Sequence, residues 1–327
     1  MAELRWHPLT KDWVMVASNR QNRPQMPKDW CPFCPGSGKV PEHYDVHKYD
    51  NDFPALSQNP PVPDDVATDF YKTKEAYGKC EVILYSPNHT ATIPDLTLPH
   101  VRKLVDLWTE RFVEISKDEK IKYVFIFENR GDVVGVTMPH PHGQIYGYSY
   151  VPKKIELELD SAREYYDENK KCIFCEMLKE EQCAASRIIF ENDYFTVFLP
   201  FFTEYPYGMY IMSKNHKQNL AQFTEEEKDA FAAVIRETVG TFDTLFDKPF
   251  PYMMCMHQGP VNQEESSDDF YHFHVEFFPP MRSADKQKFN ASSETGVWAH
   301  CNPTAPEEKA IELRNAHERF LAKDQEA

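Results

Sequence analysis

The sequence predicts an α+β fold that is built from two duplicated units. The 327 residues carry the same series of features twice: a Cys-x-x-Cys pair, an apolar run that ends in Asn-His, a segment with helical spacing, a further strand and a His-x-His. The first series begins at Cys31 and the second at Cys172. Chance does not account for five features in one order, and a pair of homologous α+β units fits the chain length.

Each predicted element has its counterpart in the other series. The runs EVILYSPNH and YGMYIMSKNH end at His89 and His216, and their β-branched and aromatic residues favour strands. The segments LTLPHVRKLVDLWTERFVEI and FTEEEKDAFAAVIRETVGTF then show apolar residues at helical spacing. Thr224 and Glu227 form a predicted capping box at the start of the second helix. The strands KYVFIFENRG and PYMMCMHQGP follow these helices.

The boundary between the units is predicted near the polar, helix-prone segment LELDSAREYYDENKK. We therefore expect an N-terminal unit at residues 1–160 and a C-terminal unit at residues 161–327. The last segment, TAPEEKAIELRNAHERFLAKDQEA, predicts a surface helix.

Composition excludes several classes of function. The formal net charge of −16 opposes nucleic-acid binding, which needs a basic surface. No stretch of about 18 apolar residues predicts a membrane span. The N-terminal sequence lacks the pattern of a secretory signal, so a cytoplasmic protein is expected. Four of the eight cysteines stand in Cys-x-x-Cys pairs, which favour metal binding over a disulfide framework in such a chain.

The cysteine pairs and the repeated histidines predict two zinc sites. Two sulfurs that are two residues apart can bind one metal, and two histidines from later strands can complete a tetrahedron. Buried apolar thiols and a thioredoxin-like redox pair are the alternatives, and the second lacks its usual strand-then-helix context. The expected ligands are Cys31, Cys34, His89 and His140 in the first unit, and Cys172, Cys175, His216 and His272 in the second.

The segment from Asn129 to Gln144 is the most specific in the chain. Its two prolines restrict the backbone around His140 and His142, and its glycines let the backbone approach a bulky anion. Alternate residues of an extended segment point to one face, so one histidine can bind zinc while the other reacts. Gln144 can donate a hydrogen bond to a phosphate oxygen, and Asn129 can do the same or orient the loop.

This segment resembles the active-site signature of the galactose-1-phosphate uridylyltransferase family, a branch of the histidine-triad superfamily. The similarity covers nearly the whole chain. It implies two histidine-triad-like units, each an antiparallel sheet with helices on one side. Further matching motifs are Arg20-Gln-Asn-Arg23-Pro, Cys-Pro-Phe-Cys, Asn51-Asp52-Phe-Pro-Ala-Leu, Ser-Pro-Asn-His89, Phe-Glu-Asn129, Phe-Pro-Tyr252, Pro279-Pro280 and Arg282-Ser-Ala.

The resemblance implies a ping-pong reaction at His142. UDP-glucose would uridylylate this histidine and release glucose 1-phosphate, and galactose 1-phosphate would then take the uridylyl group to give UDP-galactose. A neutral imidazole is a competent nucleophile near neutral pH, provided that an acceptor such as a backbone carbonyl holds its other nitrogen. The resemblance also implies that Gln144 holds phosphoryl oxygens, that Arg20 and Arg23 meet phosphates, and that Asn51 and Asp52 lie near the nucleoside.

The family implies a homodimer whose sites borrow residues across the interface, with the segment around Lys288 as the donor. Three positions bear on hexose preference. Thr137 replaces a serine that is frequent in the family, Lys288 matches its sugar-contacting lysine, and His300 stands where it has a glutamine. The hexose is therefore less well defined than the chemistry.

A second arrangement is open for the metal of the C-terminal unit. Many family members use one glutamate and three histidines there. The corresponding set in this chain is Glu158, His257, His274 and Glu276, and we prefer the set with Cys172 and Cys175.

Two other functions compete with uridylyl transfer. A nucleotide-sugar phosphorylase of the ADP-glucose type would use the same histidine chemistry with inorganic phosphate. A non-catalytic nucleotide- or zinc-binding module would be expected to have lost His142 or Gln144, and both residues are present.

Overall fold

The computed structural model describes residues 2–18 and 30–326. The strands are β1 (Ala2–His7), β2 (Asp12–Ala17), β3 (His47–Asp50), β4 (Thr73–Glu75), β5 (Gly78–Leu84), β6 (Tyr123–Arg130), β7 (His142–Tyr148), β8 (Ile188–Glu191), β9 (Phe195–Phe198), β10 (Tyr210–Ser213), β11 (Tyr252–His257), β12 (His274–Phe278), β13 (Met281–Ser283) and β14 (Lys286–Gln287). The α-helices are α1 (Leu98–Ser116), α2 (Lys153–Asn169), α3 (Ile173–Ala184), α4 (Glu225–Leu245), α5 (Ser292–Val297) and α6 (Pro306–Glu326).

One nine-stranded sheet, antiparallel throughout, organises the molecule. Its strand order is β3-β5-β7-β6-β11-β12-β10-β9-β8. The first half of the chain supplies β3, β5, β7 and β6, and the second half supplies the rest. The pair β6–β11 joins the halves, with Arg130 opposite Tyr252 and Glu128 opposite Met254. The two predicted sheets therefore form one continuous sheet, because their edge strands pair with each other instead of remaining exposed.

The strand order confirms the duplicated fold. The order β5-β7-β6 in the first half is mirrored by β11-β12-β10 in the second, with the β6–β11 pair at the centre. Equivalent residues follow from the pairing register. His142 lies opposite Leu84 and His274 lies opposite Met212, so the second histidine of each His-x-His begins the equivalent strand.

The predicted helices α1 and α4 cover one face of this sheet. Trp108 of α1 and Phe231 of α4 are among the fully buried side chains of the largest core cluster, with Ile126 and Met254 from the central strands. The C-terminal segment forms the predicted helix α6, which packs on α4. Burial of the apolar stripe of each helix against the sheet stabilises both.

Helices α2 and α3 lie on the opposite face, where Ile155 and Phe174 pack with Tyr123 and Met212. The predicted boundary between residues 160 and 161 falls inside α2. Among residues 2–18 and 30–326, no helix combines the length and the apolar character that crossing a membrane requires.

Candidate active site

The loop between β6 and β7 presents the two histidines of the first His-x-His. Gly131 and Gly135 have φ values of 96° and 79°, which are accessible to glycine at little cost. The loop contains one short 3-10 turn over Asp132–Val134 and delivers His142 as the first residue of β7. The backbone N–H of Tyr85 donates to the carbonyl of Pro141 at 3.0 Å, which ties the loop to the end of β5.

The ring of His142 is oriented by the backbone of the same motif. Its Nδ1 lies 2.7 Å from the carbonyl oxygen of His140. A carbonyl can only accept, so Nδ1 carries the proton and Nε2 carries the lone pair. Nε2 is therefore the nitrogen that can act as a nucleophile. The ring of Phe33 lies 6.0 Å from that of His142 and forms one wall beside it.

Gln144 points to the same face of β7 as His142. The hydroxyl of Tyr146 donates to Oε1 of Gln144 at 3.2 Å, which orients the amide so that its NH₂ group can donate elsewhere. Residues 142, 144 and 146 alternate on one face of an extended strand, so this triplet follows from strand geometry. Sequence reasoning overlooked Tyr146, although its i+2 spacing from Gln144 was a usable signal.

A small cleft of about 70 Å³ opens over His142. It is lined by five of the residues singled out from the sequence: Asn51, Asp52, Thr137, His142 and Gln144. Tyr49 also lines it and donates from its hydroxyl to Oδ2 of Asp52 at 2.9 Å. Asn51 caps its own turn, since its Oδ1 accepts from the backbone N–H of Phe53 at 2.9 Å.

The four residues of the first predicted zinc site converge. The ligand atoms of Cys31, Cys34, His89 and His140 all lie within 4.8 Å of one another. Cys34 Sγ is 3.4 Å from His89 Nδ1 and 3.7 Å from His140 Nδ1. Burial lowers the pKa of His140 to about 4, so its ring is neutral, as a metal ligand must be.

The hydroxyl of Tyr44 forms part of this first site. It donates to the carbonyl of Phe33 at 2.6 Å and lies 3.2 Å from Nε2 of His140. The same Nε2 lies 2.8 Å from the carbonyl of Ser86, to which it donates. These contacts direct Nδ1 of His140 towards the two sulfurs, the support that a metal-binding imidazole requires.

The second cysteine group is built in the same way. The ligand atoms of Cys172, Cys175, His216 and His272 also lie within 4.8 Å of one another. Cys175 Sγ is 3.3 Å from His216 Nδ1 and 3.4 Å from His272 Nδ1. Nε2 of His272 donates to the carbonyl of Ser213 at 2.9 Å, as His140 does to Ser86. Both groups have the soft donors that zinc prefers.

The alternative metal set of the C-terminal unit is a separate group. The ligand atoms of Glu158, His257, His274 and Glu276 also lie within 4.8 Å of one another, and His274 follows His272 by two residues. The cysteine group and the carboxylate group of the C-terminal unit are therefore both present in the structure, next to each other. Glu276 accepts from Lys154 and from the Tyr210 hydroxyl, each at 2.5 Å, so its charge is compensated without an ion.

Three of the remaining predicted residues, Asn129, Lys288 and His300, do not line the cleft. Arg20 and Arg23 lie outside the described residues. Asn129 lies on β6 opposite Met253 and does not line the cleft. Lys288 and His300 lie beside a second cavity of about 360 Å³ in the C-terminal half.

Lys288 and His300 each contact a residue that lines this second cavity. Lys288 Nζ is 4.8 Å from the centre of the Tyr205 ring, and His300 Nδ1 is 3.2 Å from Oε2 of Glu204. Tyr205 and Glu204 line the 360 Å³ cavity.

The chain is similar to known proteins over nearly all of its length. Two family models, described as the N-terminal and C-terminal domains of galactose-1-phosphate uridyl transferase, match residues 1–152 and 158–315. Galactose-1-phosphate uridylyltransferase of Thermotoga maritima is 43% identical over 315 residues, which are 96% of this chain and 98% of the relative.

Two solved structures are similar along nearly all of the chain. A uridylyltransferase has a TM-score of 0.89 with 30% identity, and the match covers 98% of this chain and 99% of that one. An ADP-glucose phosphorylase from Arabidopsis thaliana, solved with bound ADP-glucose, has a TM-score of 0.73. Its identity is 24%, with 96% of this chain and 99% of that one covered, so it supports the fold alone.

Proposed function

The chain belongs to the galactose-1-phosphate uridylyltransferase family, and we propose that it transfers a uridylyl group through a covalent bond to Nε2 of His142. The protein is thus a nucleotidyltransferase whose donor is UDP-glucose and whose acceptor is galactose 1-phosphate. The observation that carries the covalent step is the 2.7 Å contact between Nδ1 of His142 and the carbonyl of His140, since it leaves the lone pair on Nε2.

Two displacements at phosphorus make up the reaction. Nε2 of His142 forms a bond to the α-phosphorus of UDP-glucose, the bond from that phosphorus to the bridging oxygen breaks, and glucose 1-phosphate leaves with the electron pair. A phosphate oxygen of galactose 1-phosphate then forms the new bond to phosphorus, and the P–N bond breaks. The electron pair returns to His142, and UDP-galactose is released.

No proton needs to move in either step. The proton on Nδ1 of His142 stays on its hydrogen bond to the His140 carbonyl, which also stabilises the positive charge of the uridylylated ring. Catalysis then depends on alignment and on donors to the non-bridging oxygens. The amide of Gln144, oriented by Tyr146, supplies one such donor. Asn51, Asp52 and Thr137 line the same cleft and are positioned to contact the nucleotide.

Zinc at the two cysteine groups would have a supporting function. Held by Cys31, Cys34, His89 and His140, it would fix the loop that presents His142 without touching the substrate. We prefer the group with Cys172 and Cys175 as the second site, because thiolates suit zinc and because Lys154 already compensates Glu276 in the carboxylate group.

A homodimer would complete the site. Several large apolar side chains of the C-terminal half are exposed, with Val297 at 75%: Phe201, Phe202, Phe289, Val297 and Trp298. Lys288 and His300 belong to the same segment and do not line the His142 cleft of their own chain. If they contact the sugar phosphate, as the family pattern implies, they do so in a second copy. A second copy that covered such exposed apolar side chains would remove them from water.

The covalent intermediate provides the direct test. Intact-mass measurement after addition of UDP-glucose should show a gain of one uridylyl group, with release of glucose 1-phosphate. The gain should be absent for His142→Asn and unchanged for His317→Asn, a histidine on α6. A chain that releases product without this mass gain, or that labels only with ADP-glucose and phosphate, would refute the proposal.

Metal analysis tests the zinc sites. Cys34→Ser and Cys175→Ser should each lower the zinc content by one ion per chain, because each removes one ligand of a different group. Only Cys34→Ser should also slow uridylylation markedly, since its group holds His140. Cys183→Ser, at an exposed cysteine outside both groups, serves as the matched control. Unchanged zinc content in Cys175→Ser would favour the set with Glu158 and His257.

A further inference from the structure

A row of buried polar side chains crosses the sheet behind the strand that carries His142. Its members are Tyr85, which directly follows β5, Glu128 on β6 and Tyr252 on β11; we call them the polar row. These strands and β7 are consecutive neighbours in the order β5-β7-β6-β11. The row lies on the face covered by α1 and α4, because Tyr85 and Tyr252 belong to the core cluster of those helices. His142 and Gln144 face the cleft on the other side.

The hydroxyl of Tyr85 packs closely against the backbone of β7 at Gly143. A Cβ atom at Gly143 would lie 2.2 Å from this oxygen and 3.0 Å from the ring carbon that bears it. Only glycine therefore allows the two strands to keep this contact. Gly143 stands between His142 and Gln144, so the phenol supports the backbone of the two residues that would meet the phosphate.

Glu128 lies on β6, the neighbour of β7 on the side away from β5. It is buried, and its Oε1 accepts from the hydroxyl of Tyr252 at 3.1 Å. Its Oε2 and the hydroxyl oxygen of Tyr85 are both buried, and neither makes a hydrogen bond of ordinary geometry among the described residues, although the two side chains interact with each other. Burial, the nearby Glu128 and Tyr252 hold the pKa of Tyr85 well above its usual value, so the phenol stays protonated. Buried polar groups in this state destabilise a core, and their retention calls for a function.

The second half of the chain provides an internal comparison. Phe127 lies opposite Gln144 and Cys255 lies opposite Glu276, so the residues that follow, Glu128 and Met256, are equivalent.

By the same reasoning Gly143 corresponds to Val275, which lies opposite Met256. Val275 and Met256 are both fully buried. The second half therefore uses apolar side chains at the positions of Gly143 and Glu128, and the much smaller Ser213 stands at the position of Tyr85.

We infer that Tyr85 and Glu128 are positioning residues that hold the His142–Gln144 strand in register for attack on phosphorus. This inference rests on the proposed uridylyl transfer. Neither residue touches substrate. They act through the backbone of Gly143, whose place determines where Nε2 of His142 and the amide of Gln144 point. A shift of this strand would misalign the nucleophile and the phosphate donor together.

Two near-isosteric variants test the inference. Tyr85→Phe removes the oxygen that touches Gly143, and Glu128→Gln keeps the shape of the side chain. Each should lower the single-turnover rate of His142 uridylylation by between about 10-fold and about 100-fold, as misalignment of reacting groups does. The KM for UDP-glucose should stay within about twofold, because the contacts that bind the nucleotide are not removed.

The matched control is Tyr123→Phe. Tyr123 is also a fully buried tyrosine, it lies on β6 like Glu128, and its side chain packs in the core cluster of α2 and α3. It should leave the uridylylation rate unchanged, whatever its effect on the unfolding midpoint. Equal rates in the wild type, Tyr85→Phe and Glu128→Gln would overturn the inference. A fall that merely tracks the unfolding midpoint across all three variants would overturn it as well.

The wild-type reaction separates the two proposals. If the wild type itself forms no uridylyl adduct, the proposed function fails. If the wild type labels and both variants label at the same rate, only the positioning of the strand by Tyr85 and Glu128 is refuted.

Discussion

The chemistry of single side chains in this protein depends on the hydrogen-bond partner that orients each polar group. The carbonyl of His140 sets the tautomer of His142, and the hydroxyl of Tyr146 sets the orientation of the Gln144 amide. In the equivalent strand of the second half, Nδ1 of His274 makes the corresponding contact to the carbonyl of His272, at 2.9 Å. It differs at Glu276, where a carboxylate replaces the amide of Gln144 and would repel a phosphate. The pair Gln144 and Glu276 is thus one chemical difference between the two halves.

The pH dependence of stability should report on Glu128. Burial raises its pKa to about 7 from an ordinary value of 4.5. The folded carboxyl then holds its proton more tightly than the unfolded one. Its stabilisation is complete below about pH 4.5 and is lost as the pH rises through about 7. Glu128→Gln lacks this titration. Its free energy of unfolding, relative to that of the wild type, should rise by about 3 kcal/mol over this interval.

Urea unfolding of both proteins at about pH 5 and about pH 8 measures this difference. Parallel pH profiles for the wild type and Glu128→Gln would show that the carboxyl titrates normally.

At the scale of elements, the capping of the two long helices differs in a way that can be measured. Thr224 at the start of α4 accepts from the backbone N–H of Glu227 at 3.2 Å, and the Glu227 side chain accepts from the backbone N–H of Thr224 at 2.8 Å. The capping box predicted from the sequence is confirmed. Thr97, at the equivalent place before α1, makes no side-chain capping bond.

Thr224→Ala should therefore lower the free energy of unfolding by about 1 kcal/mol, while Thr97→Ala should change it much less. Because α4 covers the face of the sheet opposite the His142 cleft, uridylylation by the folded fraction should be unaffected. Thermal or urea unfolding of the two variants checks the difference. Equal losses of stability would contradict the assigned cap.

At the scale of the whole molecule, the continuous sheet places the two halves side by side, and Lys288 and His300 do not line the His142 cleft of their own chain. Lys288 and His300 lie instead beside the 360 Å³ cavity of the second half. A site shared between two copies makes a specific prediction about mixed dimers. His142→Asn and Lys288→Ala should each be strongly impaired alone.

After the two variants are unfolded together and refolded, one site of each mixed dimer would combine an intact His142 with the intact Lys288 of the other copy. Random pairing would restore about a quarter of the sites. Uridylyl transfer should recover to that extent in the mixture. No recovery in mixtures that contain mixed dimers would show that Lys288 acts within its own chain or not at all.

The sequence by itself determined the duplication, the fold class and the chemistry of the metal-ligand groups. These depend on residue type and on spacing along the chain, which the repeated Cys-x-x-Cys and His-x-His patterns carry. Similarity to the family also singled out Asn51, Asp52, Thr137 and Gln144, and these residues line one cleft with His142. These motif residues reach one cleft because the strands that carry them pair side by side.

Only the tertiary structure decided how the halves combine. The pairing of β6 with β11 joins the two sheets, and it depends on hydrogen bonds between segments more than 100 residues apart, which no local pattern encodes. The two ligand groups that were alternatives on the sequence alone form side by side, because His272 and His274, two residues apart on one segment, belong to different groups. The contact of Tyr85 with Gly143 likewise arises from strand pairing and cannot be deduced from the order of residues.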